Sequence, residues 1–180
     1  LSLLDLRKEL KKEESPVFKK STLLVPKFLK KLPFELTNAQ KKAFEIIESD
    51  LNKNSAMLRL LQGDVGSGKT VIAALTTLQA IEKNFQVAIM VPTELLAEQH
   101  YKNFTDWFEP LNIEVILLTG KLKKSTKNMI EEKLKDKKPI VVIGTHALFQ
   151  ENITFSKLGL VIIDEQHRFG VHQRLALIEK

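Results

Sequence analysis

The chain has 180 residues, of which 43 % are hydrophobic and 28 % charged, and its formal net charge is +6. The hydrophobic fraction excludes a wholly disordered chain, and the length suits one domain with a sizeable core. No apolar run approaches the roughly 18 residues of a membrane span, no secretory signal opens the sequence, and the absence of cysteine excludes disulfides and thiolate metal sites. We therefore expect a soluble, cytoplasmic protein.

The positive charge is unevenly distributed along the sequence. Residues 1–42 hold eleven Lys or Arg and five Asp or Glu, whereas residues 43–180 hold seventeen of each. A second basic run, residues 121–138, has eight Lys and three acids. Each basic segment is compatible with contact to nucleic-acid phosphates and equally with a solvated lysine-rich face.

The first 33 residues do not have the pattern of a self-contained domain. Leucines alternate with charges over residues 1–14, and Pro16, Pro26 and Pro33 interrupt the segment that follows. This predicts the end of a helix and then an extended, basic linker from a missing upstream domain. Because the sequence begins with Leu1 rather than Met, we expect a piece of a longer protein whose main domain occupies residues 34–180.

Helices and strands are predicted to alternate over the rest of the chain. A capping residue at Thr37 begins a helix, and further helices are predicted at 69–83, 94–108 and 125–135. Short branched apolar runs predict strands at 57–62, 86–91, 113–118, 140–143 and 158–163. The alternation predicts an α/β fold with a parallel sheet and helices on both faces. No period of 20 to 50 residues recurs, so a repeat protein is excluded.

Residues 63–70 match the phosphate-binding pattern G-x-x-x-x-G-K-[ST], between a predicted strand and a predicted helix. Glycines allow backbone N–H groups to turn toward a phosphate, and the helix directs its positive end at the same point. Lys69 is expected to reach the β- and γ-phosphates of ATP, and Thr70 to hold Mg²⁺. A glycine-rich turn that matches by chance is the alternative. The residues expected to surround the phosphates are Gly63, Asp64, Val65, Gly66, Ser67, Gly68, Lys69 and Thr70.

The predicted strand 158–163 ends in two adjacent carboxylates. Asp164 is expected to help to hold Mg²⁺, and Glu165 to orient and deprotonate an attacking water. Ligands of parallel sheets bind at the carboxyl ends of the strands, so this pair is expected at the same edge as the phosphate loop. Alone the pair is compatible with a surface acid pair, but with the phosphate loop it indicates ATP hydrolysis.

Four stretches of the sequence show a family resemblance. Residues 164–167 resemble motif II of superfamily 2 helicases, and residues 63–70 resemble their motif I. Residues 168–174 and 32–40 resemble RecG-type branch-migration helicases more narrowly. The transcription-repair coupling translocases share the stretch 168–174, but they usually have Glu where this chain has Gln166.

The resemblance implies the first RecA-like motor lobe of an ATP-dependent DNA helicase that remodels stalled forks and branched DNA. It implies that Gln40 reads the adenine edge, that Phe34 stacks on the base, and that Gln166 and His167 sense the γ-phosphate. It also implies a nucleic-acid path along motifs Ia, Ib and Ic, which correspond to Pro92, Thr93, Glu94, Thr119, Gly120, Gly144 and Thr145.

The resemblance further implies ATP and Mg²⁺ as cofactors, a monomer without membrane contact, and two partners in cis: a second RecA-like lobe and an upstream junction-binding domain. Since no second lobe follows Lys180, we expect this chain alone to bind ATP–Mg weakly and to hydrolyse it slowly. Three alternatives remain: a nucleotide switch or transporter-type ATPase that never contacts nucleic acid, a motor that acts on RNA, and a binding surface without enzymatic activity.

Several other residues have an ambiguous pattern. Phe104, Trp107 and Phe108 suit a base-stacking platform, but on an amphipathic helix they are expected to be core or groove residues. Arg168 and Arg174 suit phosphate sensors or ion pairs with a partner domain equally. The four histidines lack metal-ligand spacing.

Overall fold

A computed structural model describes residues 15–150 and 152–165. The contacts divide the chain into two compact units, Leu1–Lys83 and Asn84–Lys180. The domain boundary that we predict after residue 33 is a different division and stays a prediction. No helix in the described part of the chain is long and apolar enough to cross a membrane.

The described part of the first unit is built from three helices. These are α1 (Leu24–Lys31), α2 (Asn38–Leu51) and α3 (Lys69–Glu82), and α3 packs against both others. Most of α3 is buried, from Val71 to Ile81. The observed bounds of α2 and α3 confirm the helix starts predicted near Thr37 and at Lys69.

The prediction of an extended linker is wrong for α1. Pro26 is compatible with this helix because it is the third helical residue, where the missing N–H has no intrahelical partner. Val25 and Phe28 are buried, and the backbone N–H of Phe18 donates to the carbonyl of Leu51 at 2.8 Å. The segment is thus packed as part of the first unit.

The strand predicted at 57–62 is also absent from the structure. These residues have no regular secondary structure, and Leu60 is 62 % exposed. Arg59 instead donates from Nε to Asp50 Oδ2 at 2.7 Å. A short apolar run becomes a strand only when a neighbouring strand completes its hydrogen bonds, and residues 15–83 contain no strand.

The second unit contains a parallel four-stranded sheet. Its strands are β1 (Gln86–Met90), β2 (Val115–Leu118), β3 (Val141–Gly144) and β4 (Leu158–Ile163), in the order β2-β3-β1-β4. All pairs are parallel, which confirms the predicted α/β class. Met90, Leu118, Gly144 and Ile163 lie at matching ladder positions, so the four strands end at one edge.

Two helices cover this sheet. Helix α4 (Glu94–Phe108) packs on β2 and β3, and α5 (Lys124–Lys135) packs on β2. Phe104 and Phe108 are fully buried and pack edge to face with ring centroids 5.3 Å apart. They are therefore core residues rather than a base-stacking platform, as predicted.

Candidate functional site

The phosphate loop leads directly into α3. Gly66 and Gly68 have φ angles of 83° and 82°, a conformation that suits glycine because it has no Cβ. Gly68 is the residue that precedes the first helical residue, Lys69. The unpaired N–H groups of the first turn and the positive end of the helix dipole therefore point to this loop.

The Lys69 ammonium is held by the loop itself. Its Nζ donates to the carbonyl oxygens of Gly63 at 2.6 Å and of Asp64 at 2.9 Å. Hydrogen bonds to a charged group contribute about 1.5–3 kcal/mol each. Contact between Lys69 and phosphate oxygens stays a prediction, and it requires exchange of these carbonyl partners.

Gln40 joins the start of α2 to the phosphate loop. Thr37 Oγ1 accepts from the Gln40 backbone N–H at 3.2 Å, and Gln40 Oε1 accepts from the Thr37 backbone N–H at 2.8 Å, which is a reciprocal capping box. Gln40 Nε2 donates to the Ser67 carbonyl at 2.9 Å. Recognition of adenine by this carboxamide stays a prediction, and it requires exchange of these partners. The Phe34 ring, 47 % exposed, is accessible for stacking.

At its other end, α3 holds the start of α1 through Glu82. The Glu82 carboxylate accepts from the hydroxyl of Ser21 and from backbone N–H groups, at 2.8 Å from Leu24 and 3.0 Å from Thr22. Burial raises the pKa of Glu82, but these hydrogen bonds outweigh burial and lower its pKa to about 2. Glu82 thus replaces the side-chain cap that α1 lacks.

In the second unit, three loops meet at the carboxyl edge of the sheet. Thr93 caps α4 by accepting from the N–H of Leu96 at 3.3 Å. Glu94 pairs with Lys121, and this hydrogen bond lowers the pKa of Glu94 and raises the pKa of Lys121. A Cβ placed on Gly120 would lie 3.7 Å from Glu94 Oε1, so the loops after β1 and β2 are in contact.

The loop after β3 approaches the same place. A Cβ on Gly120 would also lie 3.8 Å from the ring of His146. Thr119 and Thr145, which the resemblance places along the nucleic-acid path, are only 5 % and 2 % exposed. Gly144 is buried, and a Cβ there would come within 2.3 Å of the Leu118 carbonyl oxygen. In the predicted path, Thr93 and Gly120 are exposed, whereas Pro92 and Glu94 are partly buried.

Strand β4 carries the two predicted acidic residues. The N–H of Asp164 donates to the Met90 carbonyl at 2.9 Å, so the ladder with β1 continues up to the carboxylate. Asp164 Oδ1 accepts from the N–H of Glu165 at 2.9 Å, and Oδ2 lies 2.8 Å from His100 Nε2. Glu165 has a φ of 52°, in the left-handed region.

The predicted nucleotide residues are thus divided between the two units. The phosphate loop, Gln40 and Phe34 lie in the first unit, and Asp164 and Glu165 lie in the second. Their convergence on one nucleotide stays a prediction, as do the catalytic roles. Gln166, His167, Arg168 and Arg174 lie outside the described residues.

Sequence reasoning missed His100, Glu82 and Lys121. A signal existed for His100, since it shares one helical face with the buried residues Ala97 and Phe104. Glu82 and Lys121 gave no such signal, because a carboxylate at the end of one helix and a lysine in a basic run find their partners only in the folded chain.

The oxygen atoms of the described side chains can be compared with the ligands that Mg²⁺ takes in proteins. Among the described residues, no group of three or more His, Asp or Glu side chains converges to hold a metal by itself. Mg²⁺ in nucleotide sites is held by one or two protein oxygens with phosphates and waters supplying the rest. A Thr70 hydroxyl and an Asp164 carboxylate fit that smaller share.

A glycine-rich loop that opens a helix, together with acids at the end of a parallel strand, defines a RecA-like nucleotide-binding domain of the P-loop class. The family model for DEAD/DEAH box helicases matches residues 37–180. The chain belongs to the DEAD/DEAH box helicase family.

Relatives within this family are similar over nearly the whole chain. The ATP-dependent DNA helicase RecG of Haemophilus influenzae is 58 % identical over 159 residues, which cover 88 % of this chain and 23 % of the relative. RecG of Aquifex aeolicus is 49 % identical over 180 residues, which cover 100 % of this chain and 23 % of the relative. The chain therefore spans about a quarter of the length of these relatives.

Solved structures give the same assignment of fold. A structure of RecG bound to a three-way DNA junction matches with a TM-score of 0.85 and 51 % identity, over 92 % of this chain and 23 % of that chain. A hypothetical ATP-dependent RNA helicase from Sulfolobus tokodaii matches with a TM-score of 0.60 and 18 % identity, over 88 % of this chain and 45 % of that chain. The second likeness concerns the fold alone.

Proposed function

We propose that this chain is the ATP-binding first motor lobe of a RecG-type DNA translocase, which couples ATP hydrolysis to the remodelling of forks and branched DNA. The observation that carries the proposal is that one chain holds both a lysine-bearing glycine-rich loop at the start of α3 and an acid pair at the end of β4. The similarity to RecG, at 58 % and 49 % identity in two relatives, favours this proposal over the transcription-repair translocases. Since the proposed substrate is DNA, we also propose that the protein acts in the cytoplasm.

On the nucleotide side, each residue has a distinct role. Lys69 leaves the carbonyls of Gly63 and Asp64 and neutralises the β- and γ-phosphates. The backbone N–H groups of residues 63–70 hold the phosphates, while Gln40 and Phe34 hold the base. Thr70 and Asp164 would hold Mg²⁺, which would supply charge neutralisation at the phosphates. Glu165 orients the attacking water and accepts its proton.

On the nucleic-acid side, the edge formed by Thr93, Glu94 and Gly120 offers a capped helix start beside a lysine. Such groups contact phosphates without reading bases. The neighbouring Lys121 is paired with Glu94, so DNA phosphate would compete with a carboxylate for its ammonium. The basic α5 segment adds electrostatic attraction that weakens with salt.

We propose that two further domains in cis take part in the remaining steps. The second RecA-like lobe would close on ATP, and an upstream domain would bind the junction. We propose that the whole protein works as a monomer, with Gln166 and His167 reporting loss of the γ-phosphate to the second lobe. The isolated chain should then hydrolyse ATP slowly, below about 1 per second.

The test measures ATP hydrolysis by the full-length protein with and without a three-way DNA junction. We expect the junction to raise the rate severalfold, and Lys69→Ala or Glu165→Gln to lower the stimulated rate at least about 100-fold. Lys53→Ala is the matched control, because this exposed lysine pairs with Asp50 away from the loop. An unstimulated ATPase would favour a nucleotide switch, and preferential stimulation by RNA would contradict the DNA substrate.

Retention of every activity by Glu165→Gln would reject the enzymatic proposal as a whole. A binding surface without catalysis would then be the better description. Fast hydrolysis by the isolated chain that Lys69→Ala abolishes would instead show that the second lobe is dispensable.

A further inference from the structure

His100 contacts the carboxylate that is expected to hold Mg²⁺. Its Nε2 lies 2.8 Å from Asp164 Oδ2, and its side chain is only 12 % exposed, against 33 % for Asp164. The second oxygen of this carboxylate, Oδ1, accepts from the N–H of Glu165. The two bonds fix both the position and the rotation of the carboxylate plane.

The imidazole is itself firmly held. It packs against the ring of Phe104, with centroids 6.3 Å apart at 62°, and Phe104 is fully buried. An ionised carboxylate only accepts hydrogen bonds, so the hydrogen shared with Asp164 is on Nε2. The other nitrogen, Nδ1, is buried and has no hydrogen-bond partner among the described residues. Of the two ring nitrogens of His100, only Nε2, which faces Asp164, has a hydrogen-bond partner among the described residues.

The same helix begins in the candidate nucleic-acid surface. Thr93 caps α4, Glu94 is its first residue, and His100 follows on the next turns. The helix is anchored on β2 and β3 by buried side chains such as Ala97 and Phe104, so it can move only as a unit. A DNA contact at its start is thus connected by one rigid element to the carboxylate of Asp164.

We propose that His100 is a positioning residue for Asp164, and that α4 transmits DNA contact at Thr93 and Glu94 to the metal-binding carboxylate. The inference rests on the proposed function, since it takes Asp164 as the Mg²⁺ ligand. Groups that orient a metal ligand typically change metal affinity 10- to 100-fold when they are removed. His100 does not touch the nucleotide in this scheme, so its loss should act through the metal.

The first experiment uses the full-length protein and a fluorescent ATP analogue, and measures binding at a series of Mg²⁺ concentrations. His100→Ala should raise the Mg²⁺ concentration at half-saturation about 10-fold and leave binding without Mg²⁺ unchanged. His100→Gln should restore most of the Mg²⁺ affinity, because its amide nitrogen can donate in place of Nε2. Gln99→Ala, exposed on the same helix, is the matched control.

The second experiment measures how strongly DNA binding stimulates ATP hydrolysis. The ratio of junction-stimulated to unstimulated hydrolysis should fall in His100→Ala, while DNA affinity measured by fluorescence anisotropy stays at the parent value. Equal Mg²⁺ dependence in His100→Ala and the parent would overturn the proposal. A failure of junction stimulation in the parent would instead contradict the proposed function, and the Mg²⁺ titration would still decide the role of His100.

If His100→Ala does not fold, the nitrogen NMR signals of the unaltered histidine decide the question. The proposal expects the tautomer protonated at Nε2, and a shift of that signal in Asp164→Asn. A tautomer protonated at Nδ1, or signals indifferent to Asp164→Asn, would overturn it.

Discussion

The two units place their candidate functional residues by different means. In the first unit, the phosphate loop and its neighbours are held by side chains that bond to backbone atoms: Lys69 to Gly63, Gln40 to Ser67, and Glu82 to the start of α1. In the second unit, the residues follow directly from the ends of hydrogen-bonded strands. Side-chain bonds can be exchanged for a ligand, whereas a parallel ladder fixes its ends. From this difference we predict that the first unit can exchange its side-chain bonds for those of a ligand, whereas the second provides a fixed edge.

The largest expected effect is a loss of unfolding free energy, and it tests whether the carboxyl edge of the sheet is fixed. Gly144→Ala would place a Cβ 2.3 Å from the Leu118 carbonyl oxygen and 3.0 Å from Leu148 Cγ. Since the first of these atoms is backbone, β2 and β3 must separate, and we expect a loss of about 3 kcal/mol or more in unfolding free energy. Gly120→Ala is the control, because its Cβ meets nothing closer than 3.7 Å. Equal stability of the two variants in urea unfolding would show that the edge is not fixed.

The next effect tests a side-chain bond of the first unit. The pKa of Glu82 is about 2 against an ordinary value of 4.5, which corresponds to about 3 kcal/mol. Because the folded pKa is lowered, this stability is fully present above pH 4.5 and is lost as the pH falls through about 2. Glu82→Gln should therefore be less stable than the parent by about that amount at pH 7.

The difference between Glu82→Gln and the parent should disappear in thermal unfolding near pH 2. Glu45→Gln, at an exposed position of α2, should follow the parent throughout the same range. A stability difference for Glu82→Gln that does not change with pH would contradict the role of the carboxylate charge.

A smaller effect is expected at Gln40. Gln40→Ala removes one half of the capping box and the bond to the Ser67 carbonyl, at a cost of about 1–2 kcal/mol. Lys41→Ala, the exposed neighbour, should cost less than about 0.5 kcal/mol. If Gln40→Ala lowers nucleotide affinity without this loss of stability, adenine contact rather than support of the loop is its main role.

The smallest effect distinguishes the structure from the sequence prediction for residues 57–62. Leu60 is 62 % exposed, so Leu60→Ser should change the unfolding free energy by less than about 0.5 kcal/mol. A loss of several kcal/mol in the same denaturant titration would mean that this run is a buried strand, and that the first unit also has a fixed edge.

The parts that sequence reasoning predicted correctly depend on patterns within short segments. Apolar spacing predicted α4, and a short run of branched apolar residues predicted β4, both with their observed bounds. Sequence reasoning missed the helix at 24–31 because proline usually interrupts a helix. Pro26 lies in the first turn, where its missing N–H costs no intrahelical hydrogen bond.

For the candidate site, the strand ends predicted Asp164 and Glu165 as a pair, but their partner His100 was not predicted. The bond joins residues 64 positions apart, and no local pattern specifies it. The same holds for Glu82, whose partners begin at Ser21, 61 positions earlier. Long-range side-chain pairs need the folded chain.

The left-handed backbone conformation of Glu165 costs folding free energy, whereas the proposed catalytic role requires a glutamate at this position. With a φ of 52°, this position suits glycine, and a residue with a Cβ is strained by on the order of 1 kcal/mol. Glu165→Gly should therefore have a larger free energy of unfolding than Glu165→Ala, although neither variant retains the proposed base. The proposed role of Glu165 as the catalytic base would account for a glutamate at a position where the backbone conformation alone favours glycine.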